Sequence, residues 1–415
     1  MKKLFTLILF ATFTYVTNAQ VGIGTNNPLT GFHVVDSNVL FSTSGDIPSS
    51  PKNFPVLGEG RKMIWYPEKA AFRAGYVGSF GATYWNSNNI GNYSFATGNN
   101  TRASGAYSFA AGLATTASGS ESVALGNNGT AAADRTFAFN GTASGIGAVA
   151  IGSGAQATSD DALALGPSSI AGGLASVAIG PSIANGNFAI AIGLQNSASG
   201  NFSVAIGKNA RTAGRQGAMV LGDAGAGFSS DSVYATANNQ MTMRFIGGYR
   251  LFTNQGLTSG VELASGGGSW STVSDRNKKE NFISIDKEEL LQKVARLPLS
   301  RWNYKSQPAS QQHIGPMAQD FYAAFKLDGI GNDTTINTVD IDGVNMVAIQ
   351  ALEARTKKLK TENEDLKTQL AAMNQRLLQL EKSYAGNKRK KKKDIIDRDI
   401  ATLSHTIQKS NSKDQ

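Results

Sequence analysis

Cysteine is absent from the 415 residues, so neither disulfides nor thiolate metal sites hold any part of the chain together. Histidine is almost as scarce. His33, His313 and His405 lie far apart without ligand spacing, which argues against a zinc site. No metal and no other cofactor is expected. Charged residues make up only 17% of the chain, and the formal net charge of +9 is unevenly spread. Residues 20–273 carry 12 basic and 11 acidic side chains, whereas 274–415 carry 25 and 19. The excess is largely one run, Lys388-Arg389-Lys390-Lys391-Lys392-Lys393. Such a block can bind nucleic acid or an anionic surface, but it usually forms a solvated tail. Long hydrophobic runs are missing too. The one apolar stretch, Leu4 to Val16, is short for a membrane span. With Lys2 and Lys3 before it and Thr17-Asn18-Ala19 after it, it reads as a signal peptide cleaved at Ala19–Gln20, a retained anchor being the alternative. Export to the cell surface or medium removes the chain from cytoplasmic DNA, so no nucleic-acid partner is expected.

What the chain does have is glycine, 46 residues of it, but without a G-X-Y period, so collagen is excluded. Between about residues 90 and 222 one motif recurs, roughly S-x-A-x-G-x-x-A-x-A-x-G. Clear copies are Ser94-Phe-Ala-Thr-Gly98, Ser108-Phe-Ala-Ala-Gly112, Ser122-Val-Ala-Leu-Gly126 and Ser203-Val-Ala-Ile-Gly207. The pattern glycines follow one another at 13 to 15 residues, except between Gly126 and Gly152. That gap holds a degenerate copy, Thr136-Phe-Ala-Phe-Asn140, with Asn where a left-handed backbone would call for Gly. Each unit offers a strand of three or four residues with a small residue at its centre. One unit cannot bury its apolar side alone, whereas stacked units can. Several G-x-G fragments occur, such as Gly22-Ile-Gly24 and Gly152-Ser-Gly154, but none in a strand–helix context that would bind a dinucleotide.

This stretch resembles the head repeats of YadA-like trimeric adhesins. The resemblance implies a left-handed parallel β-roll in which three chains pack side by side, so a homotrimer is expected; the C-terminal barrel strands of those adhesins are not recognisable here. Ahead of the repeats, 20–89 reads as a small β cap of short strands broken by Gly and Pro. Trp65, Tyr66 and Trp85 are taken as its core, a sugar-binding platform being the alternative. Residues 223–273 read as a glycine-rich connector.

After Gly266-Gly-Gly-Ser-Trp270 the character changes. Ser274-Asp275-Arg276-Asn277-Lys278-Lys279 leads to a helical segment, Lys287 to Val294, then to His313-Ile-Gly-Pro-Met-Ala-Gln-Asp320. A long helix follows, opening at about Asp342. In it Leu352, Leu359, Leu366, Met373 and Leu380 repeat every seven residues, with Ile349, Thr356, Asn363, Leu370 and Leu377 three before each. Five such heptads predict a coiled coil over 344–383, followed by a disordered basic tail from 384.

The order S-D-x-x-x-K, I-G-x-x-A-Q-D, coiled coil resembles the intramolecular chaperone autoproteases that end phage tail spikes, over 274–383. The resemblance implies Ser274 as nucleophile, Lys279 as general base and Val273–Ser274 as the bond cut, with His313, Gln319 and Asp320 as folding determinants. On one ideal helix, five residues would set Ser274 and Lys279 about 140° apart. Ser274 must therefore precede the helix, or Lys279 must come from a neighbouring chain. The alternative is that Ser274 is an ordinary N-cap. The fold expected is mostly β: a trimeric β-roll, a small α+β chaperone domain and a coiled coil. The function expected is a secreted trimeric fibre whose C-terminal module assembles it and then cuts itself off. A surface- or glycan-binding adhesin that retains the module is the second reading. No hydrolase motif for an external substrate is present.

Overall fold

The computed structural model describes residues 20–53, 57–225, 231–327 and 333–411. The expected signal peptide, 1–19, lies outside them. Two compact units are present, Met1–Tyr249 with Leu263–Ser269, and Arg250–Glu262 with Trp270–Gln415.

The first unit is a parallel β-solenoid. Longer strands such as Phe109–Leu113 and Val204–Lys208 stack in a 13-stranded sheet, and two-residue strands such as Thr116–Ala117 and Thr130–Ala131 stack in a 10-stranded sheet. Each turn of the repeat gives one strand to each. Between the sheets, the strand centres are alanine through most of the roll, giving way to Val220 and Val233 near its C-terminal end. Ala96, Ala110, Ala124, Ala138, Ala150 and Ala164 stand in register down one sheet, and Ala103, Ala117, Ala131, Ala143 and Ala157 down the other, all fully buried. Buried Ser108 and Ser122 send their hydroxyls to the carbonyls of Gly105 and Gly119 three residues back, at 2.6 Å, so neither is left unsatisfied. Glycine is required where successive turns touch. A Cβ on Gly112, whose φ is +125°, would lie 2.0 Å from the Gly126 carbonyl oxygen.

The degenerate copy fits by shortening its turn. Ala138 and Ala150 are 12 residues apart yet still pair, and Asn140 adopts the left-handed backbone (φ 55°). Its Oδ1 accepts from the Asn127 amide at 2.6 Å.

Strand alternation sends the residues on either side of each central alanine outward. Val149 and Ile151, Leu163 and Leu165, Val177 and Ile179, and Val204 and Ile206 thus form two apolar columns on the outer face of the larger sheet. The outer face of the smaller sheet is mostly polar: Arg102, Thr116, Thr130, Thr142 and Gln156, with Ile170 and Ile183 as exceptions.

The N-terminal end of the roll is closed by an antiparallel hairpin, Gly60–Tyr66 with Ala71–Val77, whose second strand pairs parallel with Phe95–Asn99. Ile64, Tyr66, Val77, Trp85 and Ile90 form its core. The core assignment therefore holds for Tyr66 and Trp85, while Trp65, pointing to the other face, is 38% exposed. Arg73 occupies the alanine row, paired with Ala96, and is fully buried. Its guanidinium donates to the carbonyls of Phe72, Ser94 and Ala103 and to the Ser94 hydroxyl, at 2.7–3.0 Å. Burial pushes its pKa down to about 10, so it remains a cation at neutral pH.

In the second unit, helix α1 (Lys287–Arg296) is capped by Asp286, which accepts from the amides of Glu288 and Glu289. Leu291 packs on Ala348 and Ala351 of helix α3 (Thr338–Asn411). Between them lie the antiparallel pair Ser300–Trp302 and His313–Gly315 and helix α2 (Ala318–Phe325). Helix α3 starts four residues before Asp342 and does not stop at 383. The expected disordered tail is instead helical as far as Asn411. Lysine and arginine are good helix formers, Lys390 and Lys393 stand four residues before Asp394 and Asp397, and an apolar stripe resumes at Ile396, Ile400, Leu403 and Ile407. All five residues from Leu352 to Leu380 that repeat every seven are at least half exposed on the single chain.

Candidate functional site

The site is a loop between a strand and a single turn. Ser271–Thr272 pairs antiparallel with Val261–Glu262, and the Val273 amide donates to the Gly260 carbonyl at 3.1 Å, which holds the chain extended up to Val273. Residues Arg276–Lys278 then form one 3₁₀ turn. Its cap is Asp275, whose carboxylate accepts from the Asn277 amide at 2.9 Å. Lys279, extended again at φ −126°, leaves the turn with its side chain directed back, and its Nζ lies 2.7 Å from Ser274 Oγ.

The five-residue spacing, which a continuous helix would splay, is thus closed within one chain by three residues of 3₁₀ turn with extended residues at both ends. The N-cap alternative for Ser274 is corrected: Asp275 caps this turn and Asp286 caps α1. Lys278, one residue away, makes no such contact; its amide donates to the Asp275 carbonyl at 3.1 Å.

Ser274 and Lys279 are both exposed on the single chain. Beside them a groove of about 460 Å³ is lined by Thr253, Gly260, Val273, Lys279 and the start of α3 at Asn337–Val339. The sequence motif contained neither the 253–261 wall nor the α3 end, because both are distant along the chain. The one available signal was Asp275, a good cap residue directly after the serine. His313 lies apart from the pair, in contact with Gln307 at 3.1 Å and against the Trp302 ring, with centroids 4.8 Å apart. Gln319 and Asp320 lie on the first turn of α2. None of the three is brought to Ser274 by a hydrogen bond.

Chemically, a lysine amine touching a serine hydroxyl can take its proton once the amine is neutral. The adjoining carbonyl is that of Val273, one residue before the serine.

Comparison with protein families gives two matches. The model described as the YadA head domain repeat matches six overlapping or successive segments from 90–115 to 184–210. The model described as the chaperone of endosialidase matches 274–329, beginning at Ser274. The chain thus joins YadA-type head repeats to an endosialidase-type chaperone module. Compared with curated proteins, it matches none.

Proposed function

We propose that the protein is an exported, trimeric, adhesin-like fibre whose C-terminal module brings three chains together and then releases itself at Val273–Ser274. The observation that carries the cleavage is the 2.7 Å contact between Lys279 Nζ and Ser274 Oγ, at the first residue of the chaperone match. Neutral Lys279 takes the hydroxyl proton as Ser274 Oγ attacks the carbonyl carbon of Val273. The resulting ammonium protonates the departing amide nitrogen of Ser274, leaving Val273 esterified to the serine oxygen. Water then hydrolyses that ester, giving a carboxyl at Val273 and a free amine and hydroxyl on Ser274. Both side chains are exposed on one chain, so on this reading the burial that a lysine base needs is supplied by neighbouring protomers. Cleavage would follow assembly for that reason.

Self-association is supported by two faces that one chain leaves open: the apolar columns of the larger sheet and the heptad seam of α3. Both resemblances imply three chains. No described helix is long and apolar enough to cross a membrane. Exposure of the dyad favours a second reading, an adhesin that retains its module, if the assembled chains leave it uncovered. Intact-mass measurement of exported protein separates the two. The first requires a fragment that starts at Ser274, and exclusively full-length trimer would refute it.

A further inference from the structure

A cleft of about 550 Å³ opens at the capped end of the roll, where the 41–48 segment passes the hairpin. Three aromatic residues line it from separate segments, Phe41 on the passing segment, Trp65 on the hairpin and Tyr93 at the first corner of the roll, 63%, 38% and 50% exposed. Tyr107, one turn on, stacks on Tyr93 with centroids 4.9 Å apart and ring planes 9° apart, fixing its orientation. The rest of the wall is mixed: the hydroxyl-bearing 42–44 segment and the acidic residues Asp46 and Glu68 alternate with Ile47, Pro48, Pro67 and Ala70. No lysine or arginine is among the described residues that line it.

The roll does not need tyrosine at that corner. The same left-handed position in later turns is Glu121, Arg135, Asp161 and Ala175. Phe188 and Phe202 repeat the stack farther along. Nor does folding need Trp65 outward, since its neighbours Ile64 and Tyr66 supply the cap core.

The geometry points to a binding site for a neutral oligosaccharide. Flat aromatic faces take the C–H faces of pyranose rings, while carboxylates and hydroxyls hydrogen-bond the ring hydroxyls. The volume admits a short chain of sugars. Two carboxylates without a cation reject uronic acids. A quaternary ammonium would use the same rings and charges, so choline serves as the competing probe; the 42–44 hydroxyls, which such a cation does not need, favour a polyol.

The test uses the full-length trimer and tryptophan fluorescence. The probes are cellotetraose, chitotetraose and mannotetraose, with tetragalacturonate and choline chloride alongside. At least one neutral tetrasaccharide should bind saturably. Trp65→Ala and Tyr93→Ala, both read by calorimetry, should each weaken it at least about tenfold, with sedimentation still trimeric. Tyr93→Phe should bind almost normally. The proposal is overturned if no neutral tetrasaccharide binds, if binding survives both alanine variants, or if choline binds through Trp65 instead. Dissociation of the Trp65→Ala trimer would also overturn it, by assigning that face to the contact between copies.

Discussion

Replacing Asp275 by alanine tests how the 276–278 turn serves the Ser274–Lys279 pair. The turn is a single 3₁₀ turn, and the Asp275 carboxylate on the Asn277 amide, at 2.9 Å, is its cap. Loss of a cap of this kind costs about 1 kcal/mol. If that energy falls on the closed arrangement in which Lys279 meets Ser274, cleavage slows by about fivefold. Asp275→Asn keeps an acceptor oxygen and should cut within about twofold of the natural chain. Ser274→Ala and Lys279→Ala remove nucleophile and base, and each should abolish the fragment, because members of a cooperating pair are not additive. Lys278→Ala should cut normally. The assay is a chase after cell-free synthesis of residues 20–415, following the 274–415 fragment on a denaturing gel. An Asp275→Ala chain that cuts as fast as the natural one would refute the role of the turn. If Asp275→Asn is as slow as Asp275→Ala, the carboxylate acts by charge and not as a cap. A cut at the same bond in Ser274→Ala would assign the activity to another protease.

Arg73→Ala empties the capped end of the alanine row and removes four hydrogen bonds, so thermal unfolding should show a loss of about 2–4 kcal/mol. Arg73→Met, which keeps the volume, should lose less; equal stability of all three chains would contradict the plug. Gly112→Ala places a methyl 2.0 Å from a backbone oxygen at positive φ and should cost at least about 3 kcal/mol. Gly31→Ala, with nothing within 4 Å, should stay within about 0.5 kcal/mol in the same melt. Leu359→Lys and Leu366→Lys together should reduce the trimer to monomer in sedimentation at micromolar concentration, and a persistent trimer would exclude the seam as an assembly surface.

The roll was legible because its sequence is constrained at every level. Alanine marks the strand centres, glycine marks the contacts between turns, and Asn140 marks the shortest turn. Trp65 and Tyr66 were both assigned to the cap core, whereas adjacent residues of one strand face opposite sides and only Tyr66 is buried. The segment after 383 was misread because six successive cations outweighed the helix-forming tendency of lysine and the stripe from Ile396 to Ile407. The dyad was legible as residue types and only half legible as geometry. A spacing of five is wrong for a continuous helix and right for a 3₁₀ turn entered and left in extended conformation. What fixes that turn, the Asp275 cap, is local; what holds Val273 is Gly260, which no reading of the motif reaches.

The same residues explain why such a roll would need a helper at all. Each buried alanine withdraws a single methyl from water, worth about 0.8 kcal/mol, against at least about 1 kcal/mol of backbone entropy for each residue ordered. The larger aliphatic side chains, from Val149 to Ile206, lie on the outer face of the sheet and count fully only when another chain covers them. On the proposed assembly, stability would arrive late, after three chains are aligned turn for turn, and alignment between chains would be the slow, non-local step. Helix α3 supplies what the roll lacks, a seam of leucines exposed for association before any turn has found its neighbour. Once the apolar columns were covered, the seam would no longer be needed. A cut at Val273–Ser274 would then remove the route by which the chains came together, so that unfolding would have to cross a barrier that assembly never met.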